Sequence, residues 1–394
     1  MSKNAPRTGR TLLGATAVVA SLATALGLGT TAQAAEGTVL AATGQAVSGS
    51  YLVVFKDGAV HAAAAEHAAR FEGTVTYTYS AALNGYAARL TERQARRVAA
   101  DPSVAYVQQD QVVRVEGTQP NPPSWGLDRI DQRNLPLDNS YTYPNEGAGV
   151  TAYVIDTGVR ISHSEFGGRA RNGYDFIDND SVAQDGNGHG THVSGTIGGT
   201  KYGVAKKVSI VAVRVLDNNG SGTLAGVVKG VDWVTNDARG KKAVANLSLG
   251  GGANTSVDTA VRNSIAAGVT YGVAAGNSNT DAGSTSPARV KEAITVGATT
   301  KTDARASFSN YGAVLDIWAP GQDITSAWKD SDTAIKTISG TSMATPHVVG
   351  GAALYLSSAS GTPAQVRDAL VAKATKNKVT DPKGSANNLL YVGN

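Results

Sequence analysis

The stretch SGTSMATPH, residues 339–347, decides how the rest of this 394-residue chain is interpreted. A serine becomes a useful nucleophile only when a turn exposes its hydroxyl and a base can reach it. Gly340 permits a tight approach, Thr341 is a good helix cap, and Ser342 begins an apolar helical run. The positive field at a helix N-terminus favours the anion that develops as a serine attacks. An ordinary capped helix would give the same pattern, so other parts of the chain must decide.

Two further motifs supply the partners that a nucleophilic serine needs. VIDTGV, residues 154–159, puts Asp156 at the end of a buried strand, and DGNGHGTHV, residues 185–193, puts His189 between glycines at a helix start. Taken singly, Asp156 could be a strand-ending cap and His189 a structural histidine. The order Asp, His, Ser is one of the few in which the acyl-transfer triad occurs. Together the motifs predict Ser342 as nucleophile, His189 as base and Asp156 as its orienting carboxylate.

The composition indicates a globular protein with a large core and excludes some function classes. Hydrophobic residues make up 41% of the chain and charged residues 17%, against about 25% charged in a typical domain. The formal charge is +4, but Lys3, Arg7 and Arg10 lie in an N-terminal segment without acidic residues. No basic cluster with interleaved aromatic residues follows, so nucleic-acid binding is not expected.

The N-terminus predicts an exported protein. Residues 1–34 form a signal peptide pattern, with basic residues up to Arg10, an apolar run over 12–28, and small residues for cleavage at 32–34. A retained membrane anchor is the alternative, although glycines and threonines dilute the run. No later stretch is long and apolar enough to span a bilayer, so we expect a secreted, extracellular protein without membrane attachment after signal removal. The chain has no cysteine, so disulfides cannot stabilise it.

Two domains are predicted after the signal. The segment 35–117 alternates strand and helix patterns and indicates a small α+β domain, followed by a Gly/Pro/Asn-rich linker over 117–123. From Trp125 onward, short strands that look buried on both faces alternate with helices, as in 150–155, 208–215 and 243–249. This alternation predicts an α/β domain with a mostly parallel central sheet covered by helices on both sides, which makes three layers.

These motifs carry a resemblance to a known family. From about Trp125 to the C-terminus the chain looks like a subtilisin-like serine protease of the proteinase K and aqualysin branch, and residues 51–115 resemble that family's inhibitory propeptide, with DPSV at 101–104 and Tyr106-Val107 at its end. The resemblance implies a signal peptide at 1–34, an inhibitory propeptide at 35–117 and a subtilisin-like peptidase domain at 118–394. It also implies a secreted, autoprocessed serine endopeptidase that acts on polypeptides and is inhibited by its own propeptide. The sequence shows no obvious interface motif, so a monomer is the default expectation.

The resemblance also implies further site residues. Asn277, in AAGN at 274–277, matches the family's oxyanion-hole asparagine, with the Ser342 backbone N–H as its partner. Two segments would pair with an extended substrate, and small residues around them would leave room for an apolar or aromatic side chain before the cut. Tight strand-end turns without substrate contact are the alternative. The substrate-binding residues implied in this way are Gly220, Ser221, Gly222, Ser248, Leu249, Gly250, Ala274, Ala275 and Gly276.

Structural calcium is the cofactor that the resemblance implies, because oxygen-rich loops suit this hard cation. Solvated surface carboxylates are the alternative. Relatives carry cysteines in loops where this chain has none, so we expect bound ions to carry more of the stability. The implied ligands are Asp128, Asp131, Gln132 and Asp138 in a first site and Asp316 with the carbonyls of Lys291 and Ala293 in a second. A third site could form from Asp178, Asp180 and Asp185.

Two competing functions remain open from the residues themselves. One is a catalytically silent peptide-binding module on the same fold, which the intact Asp156, His189, Ser342 and Asn277 argue against. The other is an esterase, whose nucleophile would stand in Gly-x-Ser-x-Gly, whereas Met343-Ala344 follows Ser342. His192 and His347 lie beside the catalytic motifs and are expected to be structural.

Overall fold

The computed structural model describes residues 35–42, 46–56, 64–111 and 117–393, so the predicted signal peptide lies outside the described residues. The chain divides into two compact units, Met1–Gln111 and Val112–Asn394. Across the described residues, no helix is both long and apolar enough to cross a membrane.

The first unit is a five-stranded sheet with two helices, as the α+β pattern predicted. Its sheet order is β1-β5-β2-β4-β3, and all neighbours are antiparallel except the β1–β5 pair. Thr91 caps α2 through a capping box with Gln94. The elements are β1 (Val39–Leu40), β2 (Ala46–Phe55), α1 (Ala64–Arg70), β3 (Thr74–Tyr79), β4 (Gly85–Arg89), α2 (Glu92–Ala99) and β5 (Val104–Gln111).

The second unit is larger and alternates strands with helices. Besides two short 3₁₀ turns, Ser164–Phe166 and Ala282–Ser284, its elements run as follows: β6 (Gly117–Pro120), α3 (Trp125–Ile130), β7 (Ser140–Tyr143), β8 (Val150–Asp156), β9 (Ala170–Asp175), α4 (His189–Gly198), β10 (Ser209–Arg214), α5 (Leu224–Asp237), β11 (Lys242–Leu247), β12 (Gly251–Gly252), α6 (Thr255–Ala266), β13 (Thr270–Ala274), β14 (Thr285–Ser286), β15 (Ile294–Thr299), β16 (Ile317–Pro320), β17 (Ile324–Ala327), β18 (Ile335–Ile338), α7 (Thr341–Ser358), α8 (Pro363–Lys373), β19 (Thr375–Lys376) and β20 (Asn388–Leu389).

A nine-stranded sheet forms the centre of this unit and confirms the predicted three-layer, mostly parallel architecture. Its order is β19-β20-β16-β15-β13-β11-β8-β10-β9, and every pair is parallel except β19–β20 at one edge. In open parallel sheets, ligand sites form beyond the carboxyl ends of the strands. The adjacent strands β8, β11 and β13 end at Asp156, just before Ser248, and just before Ala275, so the predicted site residues gather at one edge.

Two hydrophobic clusters cover the two faces of the sheet. Alternate residues of β8 point to opposite sides, with Ala152 and Val154 in one cluster and Tyr153 and Ile155 in the other. Helices α4, α7 and α8 contribute to the first cluster, and α5 and α6 to the second. Burial on both faces explains why these strands are near-continuous apolar runs in the sequence.

The predicted linker over 117–123 is wrong for its first four residues, which form β6 and pair antiparallel with β7. The Gln119 side chain fixes this edge strand, because its Nε2 donates to the Lys201 carbonyl at 3.0 Å and its Oε1 accepts from Lys206 Nζ at 2.7 Å. The Lys206 ammonium also lies over the rings of Tyr141 and Tyr143. Burial lowers the pKa of Lys206 to about 8. A polar, turn-like segment therefore becomes a strand through contacts that are distant in sequence.

Candidate active site

Asp156 and His189 form a hydrogen-bonded pair at the edge of the sheet. Asp156 is fully buried at the end of β8, and its Oδ1 lies 2.8 Å from His189 Nδ1 at the start of α4. The same oxygen accepts from the Thr157 backbone N–H at 2.7 Å. A carboxylate only accepts hydrogen bonds, so it assigns the proton to Nδ1 and leaves His189 Nε2 as the basic nitrogen.

The electrostatic environment prepares His189 to take up a proton. Burial lowers the pKa of His189, but the charge of Asp156 and its hydrogen bond raise it, and the charge of Asp185 adds in the same direction, so that the net shift is upward. The side chain remains about a quarter exposed, with 24% of its surface accessible. An imidazole stabilised as its cation and open to solvent on one side can act as a general base.

Ser342 is the second residue of α7, and its side chain lines the same cavity as His189. Its Oγ donates to the Ser248 carbonyl at 3.1 Å, and Ser248 Oγ donates to the Ser342 carbonyl at 3.0 Å. The Ser342 carbonyl accepts this bond in place of a helical one, because Pro346 has no N–H to donate four residues on. Among the described residues no hydrogen bond joins Ser342 Oγ to His189 Nε2, and such bonds often tighten only when substrate is bound.

The start of α7 differs slightly from the sequence-based expectation. Thr341 was predicted as the helix cap, but Gly340 takes the cap position and Thr341 is the first helical residue. Thr341 instead holds Asn277 in place, because its backbone N–H and its Oγ1 donate to Asn277 Oδ1 at 2.8 and 2.9 Å. Thr341 Oγ1 also accepts from the Gly276 N–H at 3.1 Å. Asn277 Nδ2 lies beside Gly340, where a Cβ would stand 3.5 Å from it.

A cavity of about 890 Å³ brings the predicted residues together, since His189, Ser342 and Asn277 all line it. All nine residues that the resemblance assigned to substrate binding also lie in its lining, in the segments 220–222, 248–250 and 274–276. Sequence reasoning missed its apolar wall, which consists of Leu216, Leu224, Val227 and Val257.

The predicted third calcium site is wrong. Asp185 is only 3% exposed, and its carboxylate accepts hydrogen bonds from backbone N–H groups of the loop and helix around His189. It shares no hydrogen-bond partner with Asp178 in these contacts. Asp178 pairs with the Arg214 guanidinium at 2.6 Å, and Asp180 caps its own turn through the Val182 N–H. The sequence signal that could have separated Asp185 from the others is its place four residues before His189.

Hydrogen bonds connect the residues of the first predicted calcium loop. Asp128 accepts from the backbone N–H groups of Asp138 and Asn139, and Gln132 Oε1 accepts from the same Asp138 N–H. Asp131 Oδ1 is buried and has no hydrogen-bond partner in the described structure. Burial raises the pKa of Asp131 to about 7, and the charges of Asp138 and Asp128 add to the rise. A buried, unpartnered carboxylate oxygen beside two further carboxylates suits a cation.

The second predicted calcium position is organised differently. Burial raises the pKa of Asp316 to about 6, and one of its oxygens accepts from the Thr295 N–H at 2.8 Å. The Lys291 carbonyl, expected as a calcium ligand, accepts from the Arg367 guanidinium at 2.8 Å, and the charge of that guanidinium lowers the Asp316 pKa. The Lys291 carbonyl thus has a protein donor, and calcium at the Asp316 position stays a prediction.

Carboxylates alone do not make a metal site in this chain. Within the residues that the structure describes, no three His, Cys, Asp or Glu side chains stand close enough to hold a metal ion by themselves. A cation at the Asp131 loop would therefore need carbonyl, amide or water oxygens to complete its coordination, as Ca²⁺ commonly does.

His192 and His347 are buried histidines in hydrogen-bonded positions. His192 Nε2 lies 2.9 Å from the Ile324 carbonyl, and His347 Nδ1 lies 2.9 Å from the Met343 carbonyl. Burial lowers the pKa of His192 to about 3 and that of His347 to about 4, so both rings are neutral at physiological pH. Neither takes part in the Asp156–His189 pair, in keeping with structural roles.

Comparisons with known proteins agree with this geometry. Residues 147–389 match the model of the subtilase family, and residues 50–116 match that of peptidase inhibitor I9. An extracellular serine proteinase of Thermus sp. (strain Rt41A) is 60% identical over 320 residues, which cover 81% of this chain and 78% of the relative. The alkaline serine exoprotease A of Vibrio alginolyticus is 54% identical over 324 residues, 80% of this chain and only 60% of that protein.

A solved structure gives the same result for the fold. The crystal structure of a cold adapted subtilisin-like serine proteinase is 59% identical, with a TM-score of 0.66, and the match covers 68% of this chain and 97% of the other. The family match extends over more than half of the sequence, and the Thermus relative is similar over four-fifths of it. On these grounds, and with a serine, a histidine and an aspartate at one sheet edge, the chain belongs to the subtilase family of serine proteases.

Proposed function

We propose that this chain is the precursor of a secreted serine endopeptidase that hydrolyses proteins through an acyl-enzyme formed on Ser342. The observation that carries the proposal is the 2.8 Å contact between Asp156 and His189 beside the cavity that Ser342 lines. The Thermus relative is named as an extracellular proteinase, which supports export of this chain as well. Because the Vibrio relative extends well beyond the matched region, its name carries less weight here.

The proposed reaction moves one proton between Ser342 and the leaving group through His189. His189 Nε2 takes the proton from Ser342 Oγ as the oxygen attacks the scissile carbonyl, and Asp156 stabilises the imidazolium that forms. His189 then gives this proton to the departing amine, which leaves the acyl group on Ser342. A water molecule repeats the sequence in the second half-reaction and releases the acid product. The step requires Ser342 Oγ to turn from the Ser248 carbonyl towards His189.

Two donors would stabilise the negative oxygen of the tetrahedral intermediate. Asn277 lines the cavity, and because Thr341 donates twice to its Oδ1, its Nδ2 would remain available as a donor to the oxyanion. The Ser342 backbone N–H, in the first turn of α7, is the second donor. Donors fixed in advance need no reorganisation as charge develops, so they lower the barrier of the chemical step.

The cavity lining supports binding of an extended peptide with an apolar or aromatic side chain before the cut. The small residues at 248–250 and 274–276 leave space, and the lining contains no charged side chain among its described members apart from the titratable His189. Backbone pairing with two chain segments would give broad sequence tolerance. Peptide anilides that differ only in this residue test the preference: phenylalanine should be cleaved faster than lysine or glutamate.

Maturation would remove residues 1–34 as the signal peptide and 35–117 as the propeptide, and leave the peptidase domain at 118–394. The match of residues 50–116 to peptidase inhibitor I9 supports an inhibitory segment that is cut by the protease itself. The Ser342→Ala variant should then accumulate as an uncut precursor. Normal cleavage of that variant in a host that lacks other extracellular proteases would contradict autoprocessing.

Structural calcium is proposed at one position, the loop of Asp128, Asp131, Gln132 and Asp138. The unpartnered Asp131 oxygen and the neighbouring carboxylates support it. Bound there, calcium would neutralise the cluster and connect α3 to β7. At Asp316 a bound calcium would have to share the Lys291 carbonyl with the Arg367 guanidinium, which donates to it at 2.8 Å, so the proposal rests on the Asp131 loop.

Casein hydrolysis by the secreted protein tests the proposed function. It is measured with and without phenylmethylsulfonyl fluoride, and beside the Ser342→Ala variant. Ser358→Ala is the matched control, because this serine lies on the same helix, bonds only to helix carbonyls and is remote from the cavity. Loss of activity with the reagent and with Ser342→Ala, but not with Ser358→Ala, is the expected result. No activity from correctly processed wild type would favour the catalytically silent binding module instead.

A further inference from the structure

Asp185 is the most heavily hydrogen-bonded carboxylate around the active site. Its Oδ1 accepts from Thr157 Oγ1 at 2.9 Å, from the Asn187 N–H at 2.9 Å and from the Gly188 N–H at 2.8 Å. Its Oδ2 accepts from the N–H and the Oγ1 of Thr191, at 2.9 and 2.6 Å. Hydrogen bonds to a charged acceptor are the strong ones in proteins, so five donors fix this carboxylate firmly.

The donors to Asp185 belong to the two elements that carry Asp156 and His189. Thr157 directly follows Asp156 at the end of β8, and it also accepts from the Gly190 N–H at 2.9 Å. Gly190 allows this close approach, since a Cβ there would lie 2.1 Å from the Gly158 carbonyl oxygen. The other donors precede and follow His189 at the start of α4. Asp185 therefore connects the end of β8, which carries Asp156, to the first turn of α4, which carries His189.

We infer that Asp185 is a positioning residue for catalysis, which fixes His189 against Asp156 and places a second negative charge behind the imidazole. The inference rests on the proposed function, because it concerns the base of that reaction. Asp185 touches no substrate position; it acts through Thr157, Thr191 and the loop backbone. Its location also accounts for its burial, since a carboxylate that is 3% exposed is stable only when its oxygens are satisfied.

Four other side chains lie on the elements around His189, and of these only Asp156 is a carboxylate. Asp156 on β8 is the direct partner of the ring. His192 on the same helix is neutral, because burial lowers its pKa to about 3. Trp328, next to the β17–β18 pair, packs by its ring against His192, and the Lys336 ammonium lies over that indole, 4.3 Å from the ring centroid. Asp185 is thus the second carboxylate whose charge raises the His189 pKa.

The test is the pH dependence of kcat/KM for Asp185→Asn, which keeps the shape and removes the charge. The acid limb of that profile reports the base of the unliganded enzyme. We expect it to move to lower pH, because the imidazolium loses a stabilising charge. We also expect kcat to fall about tenfold to a hundredfold through misplacement of His189, with KM little changed. The matched control is Asp175→Asn, an equally buried aspartate held by backbone N–H groups and Arg214 away from the cavity.

Two results would overturn the inference. The first is an unmoved acid limb with a loss of activity no larger than that of Asp175→Asn at equal thermal stability, which would leave Asp185 merely structural. If Asp185→Asn does not fold, Thr191→Val is used instead, because it removes one donor to Asp185 and keeps the charge. We expect its kcat to fall about twofold to tenfold, and an unchanged kcat would be the second result that overturns the inference. Wild-type enzyme without casein activity would mark failure of the proposed function itself, which is a separate outcome.

Discussion

Removal of the Asn277 side chain should impair the chemical step far more than substrate binding. The Asn277→Ala variant loses one of two proposed donors to the developing oxyanion and leaves the Asp156–His189 pair untouched. Loss of a donor of this kind costs about 10²–10³ in kcat, or about 2.7–4 kcal/mol of transition-state stabilisation. KM should change little, because the neutral carbonyl of the bound substrate gains less from the same donor than the oxyanion does.

The effect on stability can be worked out separately. Asn277 is exposed, and its Oδ1 accepts two hydrogen bonds from Thr341. A net contribution of about 0.5–1.5 kcal/mol for each bond gives a loss of about 1–3 kcal/mol in the free energy of unfolding. The Tm should fall by about 2–4 °C for each kcal/mol, so the variant stays folded at 25 °C.

The assay is steady-state hydrolysis of a phenylalanyl peptide anilide, with active sites titrated by phenylmethylsulfonyl fluoride. Asn236→Ala is the control, because this exposed asparagine lies near the end of α5 and donates only to a carbonyl of its own helix. The Tm is measured in a Ser342→Ala background to prevent self-digestion. A kcat within about fivefold of wild type, or a loss found entirely in KM, would refute the oxyanion role of Asn277.

Three further predictions concern the proposed ion site. Excess EDTA should lower the Tm, because free calcium at 100 times its Kd adds about 2.7 kcal/mol to the free energy of unfolding. The Asp131→Asn variant should lose most of this response. An unchanged melting curve in EDTA would contradict a calcium site. The Asp316→Asn variant should keep the wild-type response of the Tm to calcium, because the Arg367 guanidinium donates to the Lys291 carbonyl there. Loss of one calcium equivalent in calorimetric titration of that variant would show that Asp316 binds calcium. In EDTA the free energy of unfolding should fall as pH rises from about 4 to about 7, because the native Asp131 carboxyl, with a pKa of about 7, keeps a proton that the unfolded chain releases. Melting curves at pH 5 to 8, compared with those of Asp131→Asn, measure this fall.

The fold was predictable from the sequence wherever one strand carries its own signal. The runs at 150–155, 208–215 and 243–249 are apolar on both faces because helices cover both sides of the sheet, and the structure has strands there. The strand β6 was not predictable, since GTQP is typical of a turn. Its conformation depends on pairing with β7 and on Lys206, which lies 87 residues from Gln119.

The site was predictable to the level of its motifs, and its internal contacts were not. Asp156, His189 and Ser342 each stand in a motif whose local structure exposes the side chain. The sequence gives no sign that Ser342 Oγ lies on the Ser248 carbonyl, or that Thr341 orients Asn277. These contacts join residues 94 and 64 positions apart, so only the packing of α7 against the sheet brings them together.

Asp185 and Asp131 show why a carboxylate in a polar loop cannot be assigned from sequence alone. Both were expected to bind calcium, and both are largely withdrawn from solvent. The two oxygens of Asp185 face five N–H and O–H donors, so its charge is already compensated and a cation would have to displace them. One oxygen of Asp131 faces no donor among the described residues and lies close to further carboxylates. Burial destabilises the charged form of both side chains, and the donors supplied by the fold are the reason that we propose Asp185 as a positioning residue and Asp131 as a calcium ligand.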